Sequence, residues 1–265
     1  MGKGRRFKEK RKSNKLRLVI LISIIIISVI MICINWYFQK SIKNDEELQN
    51  ILNDNSQAQK TETNSEEMVK TERMIMLEEL QKENSDIMGW LEIPNSNISY
   101  PVLQGTDNDY YVNHNYKKQY SKNGSLFLDK DYDWSLPSTN LLIHGHNNRG
   151  TNEMFCGLMD YKNEEYYKTH PKIRFTTNQE DAEYEIISVF LSRVYYKTEK
   201  NVFRYYYFIN AGNEQEFNEY VQNSKKASLY DIEATATYGD QLMTLSTCEF
   251  SQEDGRLAVV ARKIK

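Results

Sequence analysis

Two stretches near the end of the chain decide the fold: Gln241-Leu-Met-Thr-Leu-Ser-Thr-Cys248 and Leu257-Ala-Val-Val-Ala-Arg-Lys-Ile264. Both are short, mainly apolar runs bounded by polar or turn-forming residues, which is typical of buried β-strands. If they are antiparallel neighbours, the segment Ser251–Gly255 connects them. Arg256 then lies close to Cys248, although eight residues separate the two in the chain.

Five upstream segments have the same texture and are predicted as strands: Ile98–Leu103, Gly124–Leu128, Asn140–His144, Lys172–Thr176 and Tyr184–Val194. Many short strands of this kind favour a mainly β fold with a closed or nearly closed barrel. Helical spacing of apolar residues predicts a helix over 66–82, a second short helix ending at Trp90, and an inserted amphipathic helix over Glu214–Ser228.

The N-terminal part differs sharply from the rest of the 265-residue chain, whose net charge is −3. Residues 1–17 contain nine basic residues and one acidic residue, and residues 18–38 contain no charge. An uncharged apolar run of about 20 residues is long enough to span a bilayer, and basic flanks stay cytoplasmic. We therefore predict a cytoplasmic stub (1–17), one transmembrane helix (18–38), a polar extracellular stalk (39–65) and an extracellular domain (66–265), with no role in nucleic-acid binding.

The chain contains three cysteines, of which Cys33 lies in the predicted membrane segment. Cys156 and Cys248 are either a disulfide, inert buried thiols or, in the case of Cys248, a reactive thiol. A zinc site built from His144, His146 and Cys248 would lack a clear fourth ligand. We expect no metal and no cofactor.

Three residues together meet the needs of acyl transfer by a thiol. Cys248 provides a nucleophile at a strand end, and His146, which follows Gly145 in a turn, provides a proton donor and acceptor. Arg256 provides a cation for the developing oxyanion. Taken alone, Arg256 is better explained as a surface residue paired with Glu253 or Asp254.

These residues resemble those of the sortases. Thr244-Leu-Ser-Thr-Cys248 is similar to the sortase T-L-x-T-C motif, Gly145-His146 to the G-H element, and Arg256 to the arginine that opens the last strand. The resemblance is closest to class B sortases, and it extends over four further segments: Asp86–Pro94, Tyr100–Gln104, Gly124–Asp129 and Met154–Leu158.

The resemblance implies a barrel of about eight strands with N-terminal helices, and a membrane-anchored transpeptidase of a Gram-positive bacterium. Such an enzyme cleaves secreted proteins at a C-terminal sorting motif similar to N-P-x-T-N and joins them to a peptidoglycan amine. The catalytic residues it implies are Cys248, His146 and Arg256, with a backbone N–H after Cys248 as a second oxyanion donor. The substrate-binding residues it implies are Asn108 and Val112 for the first motif residues, and His144, Ser246 and Glu249 near the threonine.

Two features stay open or depart from the family pattern. Tyr205–Phe208 is expected to line the groove or to form a shielding aromatic cluster. Phe250 occupies the place of an acidic residue found in some class B sortases, so no Cys–His–Asp triad is predicted. Cys156 is expected to be a small packing residue.

Two other functions are compatible with parts of this pattern. An L,D-transpeptidase also places a histidine before a cysteine, but its motif has a glycine before the cysteine and an arginine after it, unlike Thr247 and Glu249 here. A membrane-tethered binding module without activity would make Cys248 a core residue. Papain-like peptidases have the reverse order of cysteine and histidine.

Overall fold

A closed β-barrel forms the body of the protein in the computed structural model, which describes residues 28–29, 31–32, 71–136, 138–148 and 151–265. Eight strands are present in these ranges: β1 (Ile87–Glu92), β2 (Ser99–Leu103), β3 (Leu126–Leu128), β4 (Asn140–His144), β5 (Lys172–Thr176), β6 (Asp181–Arg193), β7 (Leu242–Cys248) and β8 (Gly255–Lys263). Their order around the barrel is β1-β2-β3-β4-β7-β8-β6-β5.

Strand β7 occupies the centre of the part of the barrel that carries the site. It pairs in parallel with β4 on one side and antiparallel with β8 on the other. Its first six residues are buried, and both neighbouring strands are largely buried too. Strands that are buried on both faces have nearly continuous apolar sequences, and this is why these strands can be predicted from the sequence.

The predicted mainly β barrel is confirmed, and all seven predicted strands are present. The predicted bounds of β4 and β5 coincide with the observed ones, and those of the other five differ by a few residues. The eighth strand, β1, lies where a second short helix ending at Trp90 was expected, so that prediction is wrong. Trp90 and Leu91 are fully buried in β1, which closes the barrel between β2 and β5.

From residue 71 onwards, the described part of the chain forms three α-helices: α1 (Glu72–Glu83), α2 (Glu164–Thr169) and α3 (Glu214–Ala227). Each begins after a residue whose side chain accepts a backbone N–H: Thr71, Asn163 and Asn213 respectively. Short 3₁₀ segments occupy Tyr110–Val112, Met154–Lys162 and Tyr205–Tyr207.

Helix α3 is the predicted inserted amphipathic helix. It buries Phe217, Tyr220 and Val221 and is joined to the barrel where the Ser188 hydroxyl donates to the Ser224 carbonyl over 2.6 Å. Helix α1 corresponds to the helix predicted over 66–82, whose first five residues lie outside the described part of the chain.

The predicted stub, transmembrane segment and stalk (1–17, 18–38 and 39–65) lie outside the described residues, apart from residues 28, 29, 31 and 32. No helix within the described ranges combines the length and apolar character that crossing a bilayer requires. The N-terminal organisation therefore stays a prediction.

Candidate active site

A cavity of about 590 Å³ opens where β4, β7 and β8 meet. Its lining includes seven of the eight residues predicted for the site: Asn108, Val112, His144, His146, Ser246, Cys248 and Arg256. They come from four separate parts of the chain, so only the folded barrel brings them together.

Cys248 and Arg256 face each other across the β7–β8 pair. Cys248 is the last residue of β7, and the strand register pairs it directly with Arg256. Directly opposite residues in an antiparallel pair have Cβ atoms about 5 Å apart. The arginine is thus held beside the thiol by the barrel itself, which follows from the antiparallel arrangement expected from the sequence.

The guanidinium of Arg256 contacts backbone carbonyls rather than carboxylates. Its Nη1 donates to the carbonyl of Gly255 over 2.9 Å and to that of Asp254 over 3.3 Å. None of the ion pairs in the described part of the chain involves Arg256, and its other guanidinium nitrogens have no hydrogen-bond partner there. The surface-pair explanation with Glu253 or Asp254 is therefore not what the structure contains, and free donors remain for a ligand in the cavity.

His146 lies on the turn that follows β4, and it is half-buried. Its Nε2 lies 2.6 Å from the Val112 carbonyl oxygen. Because a carbonyl can only accept, Nε2 carries the hydrogen of this bond. The imidazole is therefore held at the cavity wall, and Nε2 is the ring nitrogen that donates in this hydrogen bond.

The turn that carries His146 is fastened to the end of β7 by three hydrogen bonds. Asn147 Nδ2 donates to the Cys248 carbonyl over 2.9 Å, Thr247 Oγ1 donates to the Gly145 carbonyl over 2.8 Å, and the Gly145 N–H donates to the Ser246 carbonyl over 3.2 Å. A glycine is required in this turn because a Cβ on Gly145 would overlap side chains of the core. The backbone of the cysteine and that of the histidine are thus mutually fixed.

Asp129 is a functional candidate that the sequence reasoning missed. Its carboxylate is buried but lines the cavity, and Oδ2 accepts Asn108 Nδ2 over 2.9 Å and lies 3.3 Å from His144 Nε2. Burial raises the pKa of Asp129, but hydrogen bonds from His144, the Asp131 backbone and Asn108 lower it further, so the net pKa lies below the usual value. A carboxylate directly after the buried strand in Gly124–Asp129 was the available signal.

The far wall of the cavity is aromatic. Tyr205, Tyr206 and Tyr207 line it, whereas Phe208 stacks on Tyr220 with ring centroids 4.0 Å apart. The Tyr205 hydroxyl lies 2.7 Å from Ser246 Oγ, and burial raises the pKa of Tyr205 to about 12. The segment therefore both lines the groove and shields it, as the two sequence interpretations allowed.

Glu249 is the one predicted site residue that the cavity lining does not include. Its buried carboxylate lies 2.9 Å from Lys162 Nζ and accepts both the backbone N–H and the hydroxyl of Ser251. Burial raises the pKa of Glu249, but these hydrogen bonds and the Lys162 charge outweigh it and lower the pKa to about 2. Glu249 thus braces the β7–β8 connection instead of facing a ligand in the cavity.

The backbone N–H of Glu249 is the second oxyanion donor expected from the sequence. In the structure it donates to the Gly255 carbonyl over 2.9 Å. In this conformation it closes the β7–β8 connection and is not available as a second oxyanion donor. Arg256 is the remaining candidate among the predicted donors.

Both described thiols, those of Cys156 and Cys248, are free and half-buried. Cys156 donates its S–H to the Asn148 carbonyl over 3.1 Å and is absent from the cavity lining. Within the described ranges, no group of three or more His, Cys, Asp or Glu side chains is arranged to hold a metal ion. The cavity therefore holds the free thiol of Cys248 together with the imidazole of His146 and the guanidinium of Arg256.

Comparison with known proteins agrees with this chemistry. The family model of the sortase domain matches residues 91–264. Sortase B of Listeria monocytogenes is 33% identical over 190 residues, which cover 71% of this chain and 74% of the relative. The structure of Clostridium perfringens sortase B superposes with a TM-score of 0.64 at 27% identity, over 71% of this chain and 99% of that one. A Staphylococcus aureus sortase B–substrate complex superposes with a TM-score of 0.66 at 25% identity, over 86% and 95% of the two chains.

Proposed function

Since this chain belongs to the sortase family of cysteine transpeptidases, we propose that Cys248, His146 and Arg256 are its catalytic residues. The observation that carries this proposal is their convergence on one cavity, with Cys248 and Arg256 directly paired across two strands. The family membership also removes the two competing functions, an L,D-transpeptidase and a binding module without activity.

Cys248 is the nucleophile. Its thiolate attacks the carbonyl carbon of the threonine in the sorting motif, and the peptide bond to the next residue breaks. The product is a thioester between Cys248 and the threonine, plus a released amine fragment. An incoming amine then attacks the thioester, forms a new amide bond and releases the thiolate.

His146 transfers the protons in both steps. As an imidazolium it gives a proton to the departing amine, and as a neutral imidazole it takes one from the incoming amine. The hydrogen on its Nε2 is held by the Val112 carbonyl. Val112 also lines the cavity, so a substrate that contacts Val112 can shift this hydrogen bond and direct the imidazole towards the reacting atoms.

Arg256 stabilises the oxyanion that forms when the thiolate attacks. Its guanidinium has donors without partners in the described residues, and it stands opposite the nucleophile. A charged donor next to developing negative charge in a partly buried site gives a large rate effect. Because the Glu249 N–H is already bonded, the proposal assigns the oxyanion to Arg256 without that backbone donor.

The substrate lies along the cavity from Asn108 to Cys248. Asn108 and Val112 contact the first residues of the motif, and His144 and Ser246 contact residues nearer the threonine. Asn108 has both ends of its amide engaged, by Asp129 and by the backbone N–H of Lys130, so it presents a fixed surface. Glu249 is withdrawn from the substrate-binding set because its carboxylate is turned to Lys162.

The biological setting follows from the family and from the predicted N-terminal segments. We propose a single-pass membrane protein with a cytoplasmic N-terminus and an extracellular catalytic domain. Its substrates are secreted proteins with a C-terminal motif resembling N-P-x-T-N, or a variant beginning Ser-Pro or Pro-Pro. The acceptor is an amine of the peptidoglycan precursor.

A peptide experiment tests the proposal. Motif peptides of the three types are incubated with the protein without an amine acceptor, and intact-mass spectrometry measures the acyl-enzyme. We expect an adduct on Cys248 that disappears when an amine is added, and none in Cys248→Ala. Cys156→Ser is the matched control and keeps the adduct.

The histidine assignment has its own comparison in the same assay. His146→Ala is expected to lose turnover, whereas His144→Ala keeps the thioester step and weakens substrate binding. Cleavage by Cys248→Ala, or an adduct on Cys156, would refute the nucleophile assignment. Loss in His144→Ala together with normal turnover in His146→Ala would exchange the two histidines.

A further inference from the structure

A second, larger cavity of about 870 Å³ adjoins the catalytic cavity. The two share Lys130 and Asp131 in their linings. Asp107 and Tyr110 line the second cavity, while Asn108 and Val112, their neighbours in the chain, line the first. The second cavity therefore continues the catalytic one beyond the end marked by Asn108.

The wall of the second cavity is built to a fixed shape. Gln104 Nε2 donates to the carbonyls of Asp129 and Tyr132 over 3.0 and 2.9 Å, and its Oε1 accepts Trp134 Nε1 over 2.8 Å. One glutamine thus ties the loop after β3 to the end of β2 and fixes the indole. The Trp134 side chain is nevertheless 38% exposed, and that of Tyr110 37%.

The charges of this cavity are not balanced. Of its four carboxylates, Asp86 pairs with Lys118 over 2.9 Å and Asp131 pairs with Lys130 over 2.5 Å. Asp107 and Asp133 take part in no ion pair in the described part of the chain. Their partners are uncharged: backbone N–H groups for Asp107, and the N–H and hydroxyl of Ser135 for Asp133.

A cationic side chain suits this combination of groups. Two uncompensated carboxylates attract a positive charge and repel a negative one. An exposed indole and phenol ring accept both the apolar stem of a lysine or arginine and, through their π faces, its charged head. An acidic side chain would meet the same groups with the opposite sign.

We propose that this second cavity is an upstream subsite, which binds the residues immediately before the sorting motif and prefers a lysine or arginine there over an acidic residue. The inference rests on the proposed function, because it takes the first residues of the motif to lie against Asn108. An extended chain advances about 3.3–3.6 Å per residue. The one or two residues before the motif therefore pass from Asn108 into the second cavity.

Three peptides with the same motif test this subsite, with lysine, alanine or glutamate at the two preceding positions. Their dissociation constants are measured by fluorescence anisotropy on full-length Cys248→Ala protein, and their kcat/KM on the wild type. We expect the lysine peptide to bind more tightly than the glutamate peptide, and to have a higher kcat/KM, by about three- to tenfold at low salt. This is the size of effect that exposed charge pairs give. The preference should shrink at about 0.5 M salt because screening is strong there.

The double variant Asp107→Asn/Asp133→Asn removes both free charges while keeping side-chain oxygens that accept the local N–H groups. In this double variant, the ratio of the lysine peptide to the glutamate peptide, in affinity and in kcat/KM, should fall to near one. The alanine peptide is the internal reference. Glu164→Gln/Glu165→Gln, on helix α2 and outside both cavities, removes the same charge and should keep the ratio.

Binding and cleavage separate this inference from the proposed function. A wild-type ratio below about 1.5, or a ratio that survives Asp107→Asn/Asp133→Asn, would overturn the subsite while leaving peptide cleavage as support for the transpeptidase. A lysine preference in binding without cleavage of any peptide would support the subsite and refute the proposed function. Equal loss of the preference in the Glu164→Gln/Glu165→Gln control would assign it to net charge and overturn the subsite.

Discussion

The contact between Lys162 and Glu249 should stabilise the β7–β8 connection, which joins Cys248 to Arg256. Glu249 directly follows Cys248, its side chain is 4% exposed, and Lys162 reaches it from the 3₁₀ segment Met154–Lys162. The perturbation we consider is Lys162→Met, which keeps much of the apolar stem and removes the charge. It leaves a buried carboxylate with only Ser251 as a partner.

The magnitude follows from the pKa of Glu249, which falls from 4.5 to about 2 in the folded protein. A shift of this size corresponds to roughly 3 kcal/mol in favour of the charged form. Ser251 supplies part of it, and the Lys162 side chain is 39% exposed, so solvent screens its share. We therefore expect Lys162→Met to lower the free energy of unfolding by about 1–1.5 kcal/mol at pH 7.

The pH dependence has a definite sign. Because the folded pKa lies below the unfolded one, the contribution is complete above about pH 4.5 and is lost as the pH falls towards 2. At pH 3 roughly two fifths of it remains. Because Lys162→Met removes only part of this shift, the difference in stability between wild type and Lys162→Met titrates close to the folded pKa of Glu249. About three quarters of the difference should remain at pH 3, and about a third at pH 2.

Urea unfolding followed by tryptophan fluorescence measures both quantities. The control is Lys168→Met, which removes an exposed lysine paired with Glu164 and Glu165 and should change the stability much less than Lys162→Met does. A double-mutant cycle of Lys162→Met with Glu249→Gln should give a coupling of at least about 0.5 kcal/mol. A change below about 0.3 kcal/mol in Lys162→Met, or no coupling in the cycle, would refute the reasoning.

Three further outcomes are expected. Arg256→Lys should lower kcat/KM for a motif peptide by about 100- to 1,000-fold, because lysine lacks the fixed fork of donors; a loss under about threefold would favour a surface role. Asp129→Asn should raise KM about tenfold with a smaller change in kcat, because Asn108 and His144 lose their charged acceptor; a fall in kcat alone would contradict this positioning role. Gly145→Ala should lower the free energy of unfolding by about 1–3 kcal/mol in thermal or urea denaturation, because the added methyl overlaps core side chains; unchanged stability would contradict the close packing.

The sequence predicts best those strands that are buried by their neighbours, because only apolar residues suit such positions. Strand β4 is buried along its first four residues, so its apolar run predicts both the strand and the residue at which it ends. Strand β1 is also buried, but it is short, contains Gly89 and follows helix α1, so the sequence predicts a short helix there instead. Periodicity alone does not separate a short buried strand from a helical turn.

The candidate site divides in the same way. The sequence predicts Cys248, His146 and Arg256 as catalytic residues because each belongs to a residue type with a chemical task at the end of an apolar run. The structure places all three at one cavity. The roles of Asp129 and Glu249 depend on His144 and Lys162, which lie 15 and 87 residues away in the chain respectively. No local pattern reports such a contact.

The strand register brings these separate residues together in the proposed catalytic site. Strand β7 places Ser246 beside His144 on its parallel neighbour and Cys248 beside Arg256 on its antiparallel neighbour. The turn after β4 then advances two residues to His146, while β7 advances two residues to Cys248. Since side chains alternate between the faces of a strand, a slip of one residue in either pairing would turn the thiol or the guanidinium to the other face. The buried residues of β4, β7 and β8 therefore support the proposed catalysis, because the cost of exposing them fixes the register that places Cys248 opposite Arg256 and next to the turn that carries His146.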